Sequence, residues 1–592
     1  MKHLLSGNEA FARGLYEAGC TLAVGYPGTP STEILENVAK SYKSDVRCEW
    51  APNEKVALEV AAGAAMAGAR TVVTMKHVGL NVAMDPLMTL TETGTPGGFV
   101  LIVADDPGMH SSQNEQDTRM LARFAKVPVF EPSDSAEAKD FLKKAFVISE
   151  KYNTPVILRS NTRVSHSRSM VTFEERVVPE RPIGFEKNPR QFVVLPMNAR
   201  RLHPEQEARV LKMEKEGSVL RGRNAWHLNK IDEGTKKLGI ITESVAYQYV
   251  KEAFPEASVL KLGCAYPVPR KLIEDFCKSV RKVLVVEELE DFTELNVKAM
   301  GLKCEGKSVI PRCGELSSDI LREARAKLEG KKYVPAKHCK AKISEPLPMR
   351  PPTLCAGCPH RGVFYALTKI DCDVTGDIGC YTLGYMPPLS KMDTVICMGA
   401  GVSMAHGMSQ TGQKRPVVGI VGDSTFFHSG ITGVLNVAWN KAKATIVVLD
   451  NRITAMTGHQ DNPGTGLTLM GEETVAASIE EICKACGIKN VAVVDPLNYV
   501  ETLDALKKAT SSDEPWVVIS RSPCVLKQRR RTGPVRRIDA TRCKACKACL
   551  ALGCPSIEFT GGKPHINALV CNGCSLCTQV CKFNAIEEEV QP

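Results

Sequence analysis

Two cysteine runs near the end of the chain constrain its fold more than any other feature. Cys543-x2-Cys546-x2-Cys549-x4-Cys554-Pro555 is followed by Cys571-x2-Cys574-x2-Cys577-x3-Cys581. Thiolates three residues apart in a tight loop reach one iron–sulfur cube, and where two such runs occur the fourth cysteine of each completes the other's cube. The crossed assignment gives one [4Fe–4S] cluster to Cys543, Cys546, Cys549 and Cys581. It gives a second to Cys571, Cys574, Cys577 and Cys554. The spacing departs from the usual pattern twice: one extra residue precedes Cys554, and Lys582 stands where a proline is common. The competing assignment is a pair of zinc sites, which two triple CxxCxxC runs disfavour.

The whole chain has 23 cysteines, eight of them in these runs. In a cytosolic chain such a count points to metal or redox chemistry rather than a disulfide framework. Its 592 residues exceed what one hydrophobic core can hold, so length alone predicts about three to five domains. No apolar run reaches the roughly 18 residues of a membrane helix. The polar opening MKHLLSGNEAFARG is not a signal sequence, and the expected location is the cytoplasm. A net charge of +10 fits an acidic protein partner or a phosphorylated cofactor as well as it fits nucleic acid.

Upstream, strand and helix patterns alternate. Residues 1–180 carry strand patterns at Thr21–Gly25, Thr71–Met75 and Phe99–Ala104, each followed by a Gly/Pro-rich loop and a helical stretch. That rhythm predicts a parallel α/β layer. Residues 181–235 are polar and Arg-rich and read as a connecting arm. The rhythm returns over 236–335, with strands at Leu238–Thr242, Ser258–Leu262 and Lys282–Val286. A proline-rich linker is expected at 330–352. A third α/β layer spans 350–525, with strands at Thr394–Met398, Pro416–Val421, Thr445–Asp450 and Pro515–Ser520. The basic stretch LKQRRRTGPVRR (526–537) is either a solvated tether or a partner-docking segment. Residues 538–592 form the cysteine-dense domain.

Gly422-Asp423-Ser424 ends one third-layer strand and Asp450-Asn451 ends the next. The pair resembles the GDG…NN motif of thiamine-diphosphate enzymes, in a GDS…DN form. Strand carboxyl ends are where α/β sheets bind ligands. Asp423 and Asn451 both offer oxygen to a hard Mg²⁺ that also takes diphosphate oxygens. The Gly422 turn admits phosphate close to the backbone. By resemblance the Ile453 carbonyl is a further ligand, and Ser424, Thr457 and His459 line the site. The aminopyrimidine of such a cofactor needs a carboxylate partner. Glu54, opening the helix NEKVALEVAAGAAMAGAR, resembles that activating glutamate, with Glu59 as the fallback; an ordinary first-turn glutamate is the alternative.

With these residues in view, the chain is identified as resembling indolepyruvate ferredoxin oxidoreductase alpha subunits, within the thiamine-diphosphate-dependent 2-oxoacid:ferredoxin oxidoreductases. The matching segments are LLSGNEAFARGLYEAGC, GYPGTPSTEI (25–34), KHVGLNVAMDPLM (76–88), GMHSSQNEQDTR (108–119), CAGCPHRG (355–362) and DIGCYTLG (377–384). The resemblance implies an α/β fold of several parallel-sheet layers, pyrimidine-binding, transketolase-C-terminal-like and diphosphate-binding, followed by a two-cluster ferredoxin-like domain. It implies that Thr29 meets the substrate carboxylate and that Lys76 and His77 face the ligand. Arg119 is left between substrate or coenzyme A contact and a structural ion pair. It implies a third [4Fe–4S] cluster beside the thiamine on Cys355, Cys358, Cys380 and Cys524, against unrelated buried cysteines or zinc. Cys483 and Cys486, within one helix, read as packing. The implied reaction is oxidative decarboxylation of aryl 2-oxoacids with coenzyme A, reducing ferredoxin. A smaller beta subunit would complete an alpha2beta2-like hetero-oligomer, with neither nucleic acid nor membrane as partner. A pyruvate or branched-chain 2-oxoacid enzyme is the nearest alternative. A non-oxidative decarboxylase would leave the C-terminal cysteines without a task.

Overall fold

The computed structural model describes residues 2–180, 183–223, 225–335, 347–348, 350–528 and 531–589. The chain divides into two compact units, 1–342 and 343–592.

In the first unit, strands β1 (Leu22–Gly25), β2 (Arg47–Trp50), β3 (Thr71–Lys76), β4 (Phe99–Asp105), β5 (Val129–Phe130) and β6 (Val156–Asn161) run parallel. Their order is β5-β6-β4-β3-β1-β2. Every residue of β3, β4 and β6 is buried. Apolar runs such as VLIVA suit this setting, because helices cover both faces of a parallel sheet. Helices α1 (Glu54–Met66) and α2 (His77–Thr93) leave the carboxyl ends of β2 and β3. Asn53 caps α1 by accepting from the Val56 backbone N–H at 2.9 Å. The small buried residues Ala57, Ala61 and Ala65 let α1 pack closely in this layer.

The expected connecting arm is more ordered than its polar composition suggests. It holds a 22-residue helix, α3 (Pro196–Gly217). The Gln206 amide donates to Thr91 Oγ1 at 2.8 Å, and Trp226 packs against Phe130 and Tyr152. The arm is a brace laid on the first layer with its other face in water. The second layer follows: β7 (Lys230–Asp232), β8 (Thr235–Glu243), β9 (Ala257–Leu262) and β10 (Val283–Val286), in the order β10-β8-β9-β7 with β7 antiparallel. Cys264–Tyr266, just after β9, crosses back and pairs with β5, joining the two layers through one sheet edge.

The second unit is a five-stranded parallel sheet plus the cysteine-dense segment. Strands β11 (Asp373–Thr375), β12 (Val417–Gly422), β13 (Thr445–Asp450), β14 (Asn490–Val494) and β15 (Trp516–Arg521) lie in the order β11-β12-β13-β15-β14. The strand expected at Thr394–Met398 does not form. Only Thr394 bridges to Thr375, and Ile396 is exposed. A short apolar run satisfies a strand or a loop equally, and here Asp373–Thr375 takes the sheet edge. After β15, Arg536–Ile538 pairs with Ile586–Glu588, and Ile557–Thr560 with Lys563–Ile566, both antiparallel. Within the basic stretch, the Thr532 N–H donates to the Asn572 carbonyl at 2.9 Å; residues 529–530 lie outside the described residues, as does most of the 330–352 linker. Among the described residues no helix is long and apolar enough to cross a membrane.

Candidate active site

Parallel neighbours β12 and β13 set Gly422 opposite Leu449, which brings the residues after each strand into one constellation. Asp423 is buried. Its Oδ1 accepts from the Ser424 N–H at 2.8 Å and its Oδ2 from the Ile453 N–H at 3.0 Å. The same Ile453 N–H is 3.2 Å from Asn451 Oδ1, and Thr454 Oγ1 donates to Ser424 Oγ at 2.9 Å. Burial, followed by the nearby Asp450 charge, pushes the Asp423 carboxyl up to about 7. The Asn462 amide also faces Asp423, yet its Nδ2 makes no hydrogen bond of normal length. A carboxylate so disfavoured gains strongly from a cation, and Mg²⁺ prefers oxygen donors such as these. Thr457 lies on the loop that the Thr454 N–H closes onto the Gln460 carbonyl, while His459 points outward, exposed.

The sequence reading passed over two side chains that hold this turn. Tyr381 O–H donates to Asp377 Oδ2 at 2.7 Å and accepts from the Gly422 N–H at 3.0 Å. Asp377 Oδ1 accepts from the Gly399 N–H at 2.8 Å. A Cβ on Gly422 would fall 2.6 Å from the Tyr381 ring, so glycine is required there. The signal lay in the segment DIGCYTLG, whose residues were noticed but given no roles beyond Cys380.

The cysteines gather in fours. Cys355 interacts electrostatically with Cys524, Cys358 with Cys355 and Cys380, and Cys380 with Cys355 and Cys524. The Cys524 N–H donates to the Asn451 carbonyl at 3.0 Å, and Asn451 Nδ2 lies 3.3 Å from His360 Nε2. This quartet therefore adjoins the Asp423 constellation. Burial pushes the Cys358 thiol up to about 12 and Cys380 to about 11. In the C-terminal segment one cavity is lined by Cys554, Cys571, Cys574 and Cys577, and another by Cys543, Cys546, Cys549 and Cys581. Among the described residues no three His, Cys, Asp or Glu side chains are grouped closely enough to hold one metal ion. Four thiolates around one cavity are the donor set that a cube of iron and sulfide takes. Cys483 is buried on a short helix, packed in the core of the sheet's other face.

In the first unit, Glu54 follows the carboxyl end of β2 and Lys76 and His77 stand at that of β3, with β1 between the two strands. Glu54 is buried, and its carboxyl group lies against Gly79 in the first turn of α2. His77 is buried, with Nε2 3.3 Å from Asn114 Oδ1 and Nδ1 without a hydrogen-bond partner. Thr29 is half-buried in the loop after β1. Glu59, by contrast, is exposed and paired with Lys55, which removes it as an alternative to Glu54. Arg119 is fully buried and engaged by Asp117, Glu243 and Glu287. It is a structural ion-pair centre.

Two family models match the chain. The C-terminal thiamine-pyrophosphate-binding domain of thiamine pyrophosphate enzymes matches residues 377–520. The thiamine-diphosphate-binding domain of pyruvate flavodoxin/ferredoxin oxidoreductases matches residues 13–220. Indolepyruvate oxidoreductase subunit IorA of Archaeoglobus fulgidus is 42% identical over 99% of this chain and 97% of its own length. The same subunit of Pyrococcus horikoshii is also 42% identical, over 99% and 97%. The 2-oxoglutarate synthase subunit KorA of Methanothermobacter thermautotrophicus is 30% identical over 33% of this chain and 54% of that one. Strand-end carboxylate, cysteine quartets and near-full-length identity converge: the chain belongs to the family of indolepyruvate oxidoreductase IorA subunits.

Proposed function

We propose that this chain is the thiamine-diphosphate-binding subunit of an enzyme converting an aryl 2-oxoacid, indolepyruvate above all, and coenzyme A into the aryl-acetyl-CoA, carbon dioxide and a proton, while two ferredoxins each gain one electron. One observation carries the reading: the Asp423–Asn451 constellation and a cysteine quartet adjoin each other through the Asn451 and Cys524 backbones. A non-oxidative decarboxylase has no use for that adjacency.

The Asp423 carboxylate, the Asn451 amide oxygen and the Ile453 carbonyl would hold Mg²⁺, with Gly422, Ser424 and Thr457 around the diphosphate. Bound thiamine diphosphate supplies a nucleophilic carbon and an electron sink for the carbon–carbon bond that breaks. Glu54, buried and fixed, exchanges a proton with the aminopyrimidine ring. Thr29 and His77 stand at strand ends where the 2-oxoacid enters. The three cysteine quartets would hold iron–sulfur clusters, which would supply one-electron carriers. Gly357, Cys358 and Arg361 line the same cavity as Cys554, Cys571, Cys574 and Cys577, so a cluster held by that quartet would lie next to one held beside Asn451.

A smaller subunit completes the enzyme in an alpha2beta2-like assembly in the cytoplasm, with ferredoxin as the outside partner. The test is an anaerobic panel of 2-oxoacids assayed with coenzyme A and a viologen dye. Indolepyruvate should give the highest kcat/KM. Highest turnover on pyruvate or a branched-chain acid would transfer the assignment to those substrates, and aldehyde release without dye reduction would make the protein a lyase.

A further inference from the structure

Lys76 ends β3 and sits at the N-cap of α2, and only 7% of it is exposed. Its ammonium donates to the Ser111 carbonyl, and among the described residues no carboxylate lies within ion-pair distance of it. The closest acid in effect, Asp106, is spoken for. Its Oδ2 accepts from the Ser111 N–H at 2.8 Å and from Ser112 Oγ at 2.5 Å, and its Oδ1 accepts from Thr162 Oγ1 at 2.7 Å. Burial pulls the Lys76 ammonium down to about 8. A buried cation hydrogen-bonded to a neutral carbonyl, with the Asp106 charge acting only at a distance, is costly, and an entering oxyanion removes part of that cost. The backbone of the YPGTP loop runs beside it: a Cβ on Gly28 would lie 3.1 Å from Lys76 Cβ. Glu54 rests on Gly79, three residues further into the same first turn. Two other buried cations of this unit, Arg119 and Arg159, are each engaged by carboxylates.

We propose that Lys76 binds the carboxylate of the 2-oxoacid, a role that rests on the functional reading above. The contact belongs to the ground state. Loss of the carboxylate as carbon dioxide would remove the negative charge that the ammonium meets, so the ion pair would weaken on the way to the transition state. Such an interaction stabilises the bound substrate more than the transition state, so its loss raises KM and does not lower kcat. A lysine, as a point charge on a flexible stem, suits a group that must be let go better than a bidentate arginine does.

The test uses the complete enzyme with its partner subunit and cofactors. Lys76→Met should raise KM for indolepyruvate at least tenfold, with kcat within about threefold of wild type. Calorimetric titration with indole-3-lactate, which keeps the carboxylate but has no keto carbon, should show the same tenfold loss. Affinity for coenzyme A and for thiamine diphosphate should stay unchanged. Lys76→Arg should recover most of the indole-3-lactate affinity. Wild-type indole-3-lactate affinity in Lys76→Met would overturn the proposal. So would equal losses for indole-3-lactate, coenzyme A and thiamine diphosphate, because Lys76 would then only pin the Ser111 loop. If the wild type oxidises no 2-oxoacid of the panel, the functional reading falls by itself, and the indole-3-lactate titration still decides the role of Lys76.

Discussion

The Glu54 carboxyl group, proposed above to exchange a proton with the cofactor ring, occupies space that a missing side chain leaves open. A Cβ on Gly79 would come within 2.7 Å of Glu54 Cγ and 2.8 Å of its Cδ. Gly79→Ala should therefore push the carboxyl group out of place and lower kcat at least tenfold, with thiamine diphosphate still binding at wild-type affinity in a calorimetric titration. Lost cofactor affinity would mean that the helix, not the carboxyl group, had moved. Glu54→Gln removes the exchangeable proton and leaves the volume. It should slow proton–deuterium exchange at the thiazolium C2–H of bound cofactor on the order of 10²-fold, and nuclear magnetic resonance reads this directly. Exchange at the wild-type rate would end the assignment. That Glu54 opens an Ala/Gly-rich helix was legible in the sequence. Gly79 was not, because a glycine's task is set by whatever packs over it.

At the scale of elements, the spacing within each C-terminal run already specifies which cysteines share a loop. The quartet beside Asn451 is different in kind. Cys355 and Cys358 precede helix α4 (His360–Leu367), Cys380 follows β11, and Cys524 follows β15. They meet because loops at one edge of a parallel sheet converge. Protein prepared anaerobically should then hold about twelve irons per chain, four for each quartet. Cys380→Ser should drop to about eight and lose ferredoxin reduction while still binding thiamine diphosphate. Eight irons in the wild type, with unaltered turnover in the variant, would remove the third cluster. The Asp377–Tyr381 brace on Gly422 was illegible for a related reason: it joins residues about forty positions apart through side chains of no distinctive spacing.

Across the first unit, the two layers are locked by a buried ion network. Arg119 meets Asp117, Glu243 and Glu287, and Arg159 meets Asp105 and Glu131. Acids outnumber bases, and Glu288, which accepts from Asn161 Nδ2 at 3.0 Å and the Leu316 N–H at 2.9 Å, is pushed up by burial to about 7. A carboxyl group whose folded value lies above its unfolded 4.5 holds its proton more tightly in the native state. Its contribution to stability is complete below pH 4.5 and is lost as pH rises to 7. Glu288→Gln should consequently raise the thermal midpoint at pH 8 relative to wild type, by the equivalent of about 1–3 kcal/mol. The difference should vanish near pH 5, as scanning calorimetry at both pH values will show; a midpoint gap independent of pH would place the titration elsewhere. None of these partnerships was readable along the chain, where Arg119 stood undecided between ligand and structure. The sequence by itself determined what depends on local order: alternating apolar runs that become parallel strands, cysteine spacings, and the Gly-Asp and Asp-Asn pairs at strand ends. Tertiary structure alone decided which distant groups share a low-dielectric space, because burial and through-space charge depend on what packs together rather than on what is adjacent in the chain.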